Sequence, residues 1–146
     1  MSDARLEQLS QDDCLRRLRE GSVGRIAFIV DDNLIVLPVN YRFVEPDSGP
    51  LLAVRTRPGN VIDQASTQVA FEIDSIDPSN HQGWSVLVRG ELLHAYPSSP
   101  MIREGFDSDS WLADRDAWLL IDPWAITGRE LRAGESLWHV HPTEYL

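Results

Sequence analysis

The chain contains no lysine, and this absence limits the ligands it can hold. Its thirteen positive residues are all arginine and stand against 23 acids, so the formal net charge is −10 over 146 residues. Such a surface repels phosphate backbones and anionic lipids, and we expect neither a nucleic-acid nor a membrane partner. A phosphorylated ligand would need arginines gathered at one place.

Cysteine and long apolar runs are also scarce. The single Cys14 excludes an intrachain disulfide and suits a reducing compartment, and its place on a capped amphipathic helix favours a structural thiol. No apolar run approaches the ~20 residues that span a bilayer, and the N-terminus is unlike a signal peptide. We therefore expect a cytoplasmic protein with one domain over residues 1–146 and a core from about 10 to 131.

The local patterns predict hairpins first and a helix inserted midway. Ser10 is placed to cap a short helix that Gly21 ends. Asp31-Asp32-Asn33 favours a tight turn between two strands. The predicted elements are the helix 10–21, strands at 24–30, 34–41, 51–55, 69–74, 84–92 and 117–131, the last interrupted near Pro123, and a helix from Gly59 to about Ser66. About six strands with two or three short helices predict a small antiparallel barrel.

Pro38 indicates where strand pairing stops. Proline has no N–H to donate to a ladder, so it stands at an edge or a bulge. The interruption leaves the adjacent Asn40 and Tyr41 free to face a ligand instead of another strand.

The segment Arg55-Thr56-Arg57-Pro58-Gly59-Asn60 joins a strand to a predicted helix. N–H groups at a helix N-terminus lack partners within the helix and bind anions, and two guanidiniums add bidentate phosphate donors. The alternative is an exposed turn whose arginines pair with some of the many acids.

Other polar groups indicate no chemistry. The acids between 104 and 116 fit a solvated loop, and His139 and His141 lack a third metal ligand of suitable spacing, so no metal site is predicted. Phosphate-loop, dinucleotide and seryl-nucleophile motifs are absent. Trp84 and Trp124 stand at strand ends, where a ring can stack on a planar ligand or fill a subunit interface.

Four segments in the right order resemble the pyridoxamine 5′-phosphate oxidase-like family of FMN-binding split β-barrels, from about residue 10 to 130. They are Gly21–Ala27 with Pro38–Tyr41, Arg55–Asn60, Gly83–Gly90 and Ile126–Arg129. The resemblance implies a mainly β (α+β) fold, a six-stranded antiparallel split β-barrel with a few short helices. It also implies a homodimer with FMN at the subunit interface.

The family's cofactor site carries over residue by residue. The resemblance implies that the flavin ring lies along Val39, Asn40 and Tyr41, that the phosphate lies at the Arg55 corner, and that Trp84 and Ser85 approach the ring or its side chain. The cofactor-binding residues so implied are Val39, Asn40, Tyr41, Arg55, Thr56, Arg57, Asn60, Val61, Trp84, Ser85 and Arg129.

Two departures from the family pattern bear on function. Val61 stands where relatives commonly have a phosphate-binding lysine, a role that Arg57 could fill. The C-terminal arginine segment that holds vitamin B6 is not recognisable, which disfavours that substrate. The expectation is an FMN-dependent oxidoreductase with a small-molecule substrate or electron donor. The alternatives are F420 in place of FMN, a non-catalytic flavin-, F420- or haem-binding protein, and a cofactor-free dimer.

Overall fold

The computed structural model describes residues 5–55, 67–95 and 118–132. Within these ranges the chain forms seven strands and one helix. They are β1 Arg5–Gln8, α1 Gln11–Glu20, β2 Val23–Val30, β3 Asn33–Val44, β4 Leu51–Arg55, β5 Gln68–Asp77, β6 Gln82–Ala95 and β7 Trp118–Arg132. The helix expected between Gly59 and Ser66 lies outside the described residues.

The strands form one antiparallel sheet that closes on itself. Its order is β1-β7-β4-β3-β2-β5-β6, and a further pairing of β6 with β7 joins the ends. Strands β2 to β7 therefore make a six-stranded ring, which confirms the predicted antiparallel barrel. The short β1 pairs with the end of β7 outside this ring. It was missed because Arg5-Leu6-Glu7-Gln8 lacks the alternation of a half-buried strand.

The ring is split beside β4, the shortest of its strands. β4 pairs only with residues 41–44 of β3 and residues 118–121 of β7. No strand among the described residues lies between the remainder of β3 and the centre of β7. The ladder on that side of β3 consequently ends near Asn40.

Helix α1 packs against the barrel and buries Cys14 and Leu18. The Ser10 side chain accepts a hydrogen bond from the N–H of Asp13 at 3.2 Å, so the predicted cap is confirmed. Gly21 follows the helix with φ −86°, outside the left-handed region. Glycine is needed there for space, because a Cβ at this position would lie 2.2 Å from the Tyr41 hydroxyl.

The β2–β3 hairpin turns at Asp31 and Asp32, both with positive φ, as the sequence predicted. Pro38 fits within β3 because its backbone nitrogen points away from β2. Tyr41 N–H donates to the Ser22 carbonyl across the β2 side. Backbone groups alternate in direction along a strand, so position 38 faces away from β2 and no β2–β3 hydrogen bond is lost. Pro38 thus stands at an edge, as predicted.

Strand β7 passes through Pro123 without ending, so the predicted interruption is wrong. Pro123 pairs with Gly90, and the β6–β7 register shifts between Arg89 and Gly90. This bulge absorbs the missing N–H of the proline.

The outer face of the β2–β3 hairpin is apolar and open. Val23, Ile29, Leu34 and Val36 are 58%, 42%, 80% and 61% exposed. We call the outward side chains of β2 and β3 the hairpin face; they are Val23, Arg25, Ala27, Ile29, Leu34, Val36, Pro38 and Asn40. None of the described helices is long and apolar enough to cross a membrane.

Candidate ligand site

The strand register brings the first group of predicted site residues together. Tyr41 pairs with Val54, so the same antiparallel register places Asn40 beside the backbone of Arg55. Val39 pairs with Gly24 on the other side. Positions 39, 40 and 55 thus meet where the β3–β4 ladder ends. The predicted site residues Thr56, Arg57, Asn60 and Val61 lie outside the described residues.

Tyr41 does not face a ligand, which corrects the expectation from Pro38. Its side chain is 2% exposed, and its hydroxyl donates to the Leu18 carbonyl of α1 at 2.8 Å. Its ring meets Phe71 edge-on with centroids 4.9 Å apart. Position 41 also pairs with Val54 of β4. The gap in β3–β4 pairing therefore ends before Tyr41. Of the two residues Asn40 and Tyr41, Asn40 is the exposed one.

The edge of β3 offers polar backbone groups to a ligand. Tyr41 turns its N–H toward β2, and the direction alternates from one residue to the next along the strand. Residues 34, 36 and 40 therefore turn both N–H and C=O away from β2, and Pro38 turns its carbonyl the same way. Up to position 40 this side has no described partner strand. An edge of alternating donors and acceptors suits a flat heterocycle with the same alternation.

A second group of predicted site residues meets on β6 and β7. Ser85 pairs with Arg129, and Trp84 pairs with Glu130. Trp84, Ser85 and Arg129 border one shallow recess on this part of the sheet. Trp84 also borders a larger recess of about 260 Å³, whose charged lining residues are Asp77, Glu130 and Arg132.

One face of the Trp84 ring is already covered. The Arg17 guanidinium of α1 lies 4.3 Å from the ring centroid, a cation–π contact. The Arg17 Nε atom is buried without a hydrogen-bond partner. Trp84 therefore helps to hold α1 on the barrel, and only its other face is left for stacking on a ligand.

Asn40 from the first group and Ser85 and Arg129 from the second lie in one row across the outside of the barrel. Val23 pairs with Asn40, and Asp74 pairs with Ser85, which in turn pairs with Arg129. Arg25 pairs with Glu72 in the antiparallel β2–β5 ladder. Two residues further along this ladder, Val23 of β2 therefore lies opposite Asp74 of β5. Asn40 and Ser85 are separated by three strand spacings, roughly 14 Å along the curved sheet. The row therefore has predicted site residues at both of its ends.

Sequence reasoning missed a charged cluster beside this row. Arg25 Nη1 donates to Glu72 Oε1 and to Asp74 Oδ2, both at 3.0 Å. Burial first, and then the hydrogen bond and charge of Asp74, together raise the pKa of Glu72 to about 7 against the opposing effect of Arg25. The i, i+2 spacing of the two acids could have shown that they share a face. Their arginine partner depends on a pairing 47 residues away in sequence.

These features define the class of protein, a split antiparallel β-barrel with an open strand edge. The chain belongs to the pyridoxamine 5′-phosphate oxidase family, whose family model matches residues 10–130. This match covers most of the 146 residues and confirms the resemblance seen in the sequence. Among proteins with curated descriptions, none matches the chain.

Solved structures share the fold along nearly the whole chain. A FAD binding protein from Mycobacterium smegmatis is 27% identical, with TM-score 0.64, over 88% of this chain and 100% of that one. A conserved protein of unknown function from Corynebacterium diphtheriae is 26% identical, with TM-score 0.69, over 85% and 96%. A FAD-binding protein from Mesorhizobium loti is 20% identical, with TM-score 0.64, over 86% and 97%, and this likeness shows the fold alone.

Proposed function

We propose that this protein binds a flavin nucleotide, FMN or FAD, at the interface of a homodimer and uses it as an oxidoreductase. The observation that carries the proposal is the free edge of β3, which ends at Asn40 beside Arg55. The family match and the FAD binding protein from Mycobacterium smegmatis support it.

The described residues fit a flavin. The backbone edge between positions 34 and 40 provides donors and acceptors for the polar side of the ring system, and the exposed Pro38 provides apolar surface beside it. The described part of the chain ends on this side at Arg55, and we infer from the sequence that the arginines of the segment 55–60 bind the phosphate. When bound, a flavin supplies hydride and electron transfer, and the protein supplies orientation and hydrogen bonds.

The hairpin face supports association with a second copy. A chain of net charge −10 repels its own copies wherever acids are exposed. The hairpin face carries no acid, and its one charged side chain, Arg25, is paired with Glu72 and Asp74 of β5. Leu34 and Val36 add exposed apolar area on the same strand. An isologous dimer through this face would cover the apolar surface, with Arg25 and its two acid partners at the border of the contact.

Flavin binding is tested by titrating the purified protein into FMN, FAD or F420 and following absorbance and fluorescence. We expect binding of FMN or FAD at micromolar concentrations and a loss of at least about tenfold in affinity for Arg55→Ala, since a charge-assisted phosphate contact contributes about 1.5–3 kcal/mol. Arg16→Ala is the matched control, because Arg16 is an exposed arginine on α1. Absence of binding at tens of micromolar for all three cofactors would refute the proposal.

A flavin-binding protein without turnover is the second candidate. It is favoured by the similarity to a FAD binding protein and by the contacts that already cover Trp84 and Tyr41 in the part of the chain that the structure describes. The two candidates differ in one measurement. An oxidoreductase oxidises NAD(P)H or reduced F420 over many turnovers when an electron acceptor is present. A carrier binds the flavin stoichiometrically and shows no turnover.

A further inference from the structure

The cluster of Arg25, Glu72 and Asp74 borders the hairpin face and has a charge that depends on one proton. One guanidinium nitrogen is shared by two carboxyl groups at 3.0 Å each. With both acids ionised the cluster carries −1, and with one proton bound it is neutral. The side chain of Asp74 is 19% exposed and that of Glu72 is 36% exposed, so water still reaches the pair in a single copy.

Few other charges bear on this cluster. On β2 its outward neighbours Val23 and Ala27 are apolar, and β3 reaches it through Pro38. On β6 the residues opposite the two acids are neutral, Leu87 and Ser85. The next charged groups on the same face are Arg89, opposite Ala70, and Arg129, opposite Ser85. Within the described residues, Arg25 is therefore the cation that the two carboxyls touch.

Resting on the homodimer proposed above, we propose that the cluster of Arg25, Glu72 and Asp74 makes this association depend on pH. Joining two hairpin faces removes water from both clusters, and each takes up a proton to stay neutral. The dimer is consequently tighter below neutrality than above it.

Desolvation sets the direction of the effect. Transfer away from water disfavours the ionised carboxyl, and Arg25 can neutralise only one of the two. In an isologous interface both copies contribute the same face, so two uncompensated negative charges would lie within one buried surface. Both effects favour the protonated form in the dimer.

The size of the effect follows from linkage. Burial and the neighbouring Asp74 already bring the pKa of Glu72 to about 7 in one copy. Above that value the free protein has lost the proton that the dimer binds, so the dissociation constant of the dimer rises with pH. Uptake of one proton changes it up to about tenfold per pH unit, and uptake at both clusters up to about a hundredfold.

The test is sedimentation equilibrium of the purified protein, without added cofactor, at about pH 6 and about pH 8.5 at constant ionic strength. We expect the dissociation constant of the dimer to be at least about tenfold larger at the higher pH. Glu72→Gln should remove this difference and remain tight at both values. Asp74→Asn, which removes the like charge, provides a second variant should the first fail to fold. Glu20→Gln is the matched control, because Glu20 is an exposed acid at the end of α1.

The outcomes separate the two proposals. A dimer with the same dissociation constant at both pH values overturns the pH dependence and leaves the dimer standing. A pH dependence that persists unchanged in both variants overturns the role of the cluster. A monomer under all conditions overturns the dimer itself and this inference with it, while flavin binding by the monomer is still measured independently.

Discussion

The Tyr41 hydroxyl donates to the Leu18 carbonyl at 2.8 Å, and this bond ties the barrel to the helix that packs on it. Leu18 lies in the last turn of α1, where carbonyls have no partner within the helix. A side chain from β3 therefore satisfies a helix end that is buried against the barrel. Burial also raises the pKa of Tyr41 to about 12, so the hydroxyl keeps its proton as a donor at physiological pH.

We expect Tyr41→Phe to lower the free energy of unfolding by about 1–3 kcal/mol, because the Leu18 carbonyl loses its donor while the ring packing is kept. Urea denaturation followed by far-UV circular dichroism measures it. Tyr41→Leu serves as the comparison and should cost more, since it also removes the edge-on contact with Phe71. Equal stability of Tyr41→Phe and the wild type would show that the bond contributes nothing.

Gly24→Ala should destabilise the barrel by about 1–3 kcal/mol through overpacking. A Cβ at this position would lie 2.3 Å from the Phe71 ring and 2.8 Å from the Glu72 carbonyl oxygen. Phe71→Leu shortens the first of these neighbours, so the double variant should show a favourable coupling energy in a double-mutant cycle. Simple additivity of the two substitutions would contradict the steric explanation.

Cys14 should resist thiol reagents while the protein is folded. It is 1% exposed, and burial followed by the charge of Asp13 raises the pKa of its thiol. We expect a disulfide reagent at about pH 8 to leave the native protein unlabelled over minutes and to label one thiol per chain in denaturant. Rapid labelling of the native protein would mean that α1 opens from the barrel.

Stability should fall as pH rises through neutrality because of Glu72. Its pKa of about 7 in the folded protein exceeds the ordinary value of 4.5, so the folded state binds more protons between these values. The associated stabilisation is present at low pH and is lost as pH rises through 7. Glu72→Gln should therefore raise the melting temperature relative to wild type by about 2–4 °C at about pH 8.5 and change it little at about pH 5.

The control for this prediction is Glu20→Gln, an exposed acid for which the difference from wild type should be the same at both pH values. If Glu72→Gln changed the melting temperature by the same amount at both pH values, the raised pKa of Glu72 would be contradicted. Working at low protein concentration keeps association from contributing to the melting temperature.

Local chemistry in the sequence determined much of the fold. The Ser10 cap, the Asp31-Asp32 turn and the alternation within β2 and β5 each act over a few residues, so they can be recognised without the tertiary structure. Pro38 likewise predicted an edge, since a missing N–H is a property of the residue itself. The resemblance to the family rests on the order of such segments and was confirmed by the family match.

Predictions failed where a segment distant in sequence decided the outcome. Pro123 was expected to interrupt the final strand, but a register shift opposite it, at Arg89 and Gly90, lets β7 continue. Tyr41 was expected to face a ligand, but its hydroxyl found the buried end of α1, 23 residues away. Neither partner is near in sequence, so neither could be seen from local pattern.

The sequence by itself determined which groups are available. Arginine is the side chain that can bind phosphate in place of lysine, there is one thiol, and the strands have defined inward and outward faces. Only the tertiary structure decided which of them meet. Barrel closure aligns Asn40, Ser85 and Arg129 in one row and seats Arg25 between two acids of β5. Strand register sets these meetings, and register depends on how all the strands pack around a common core.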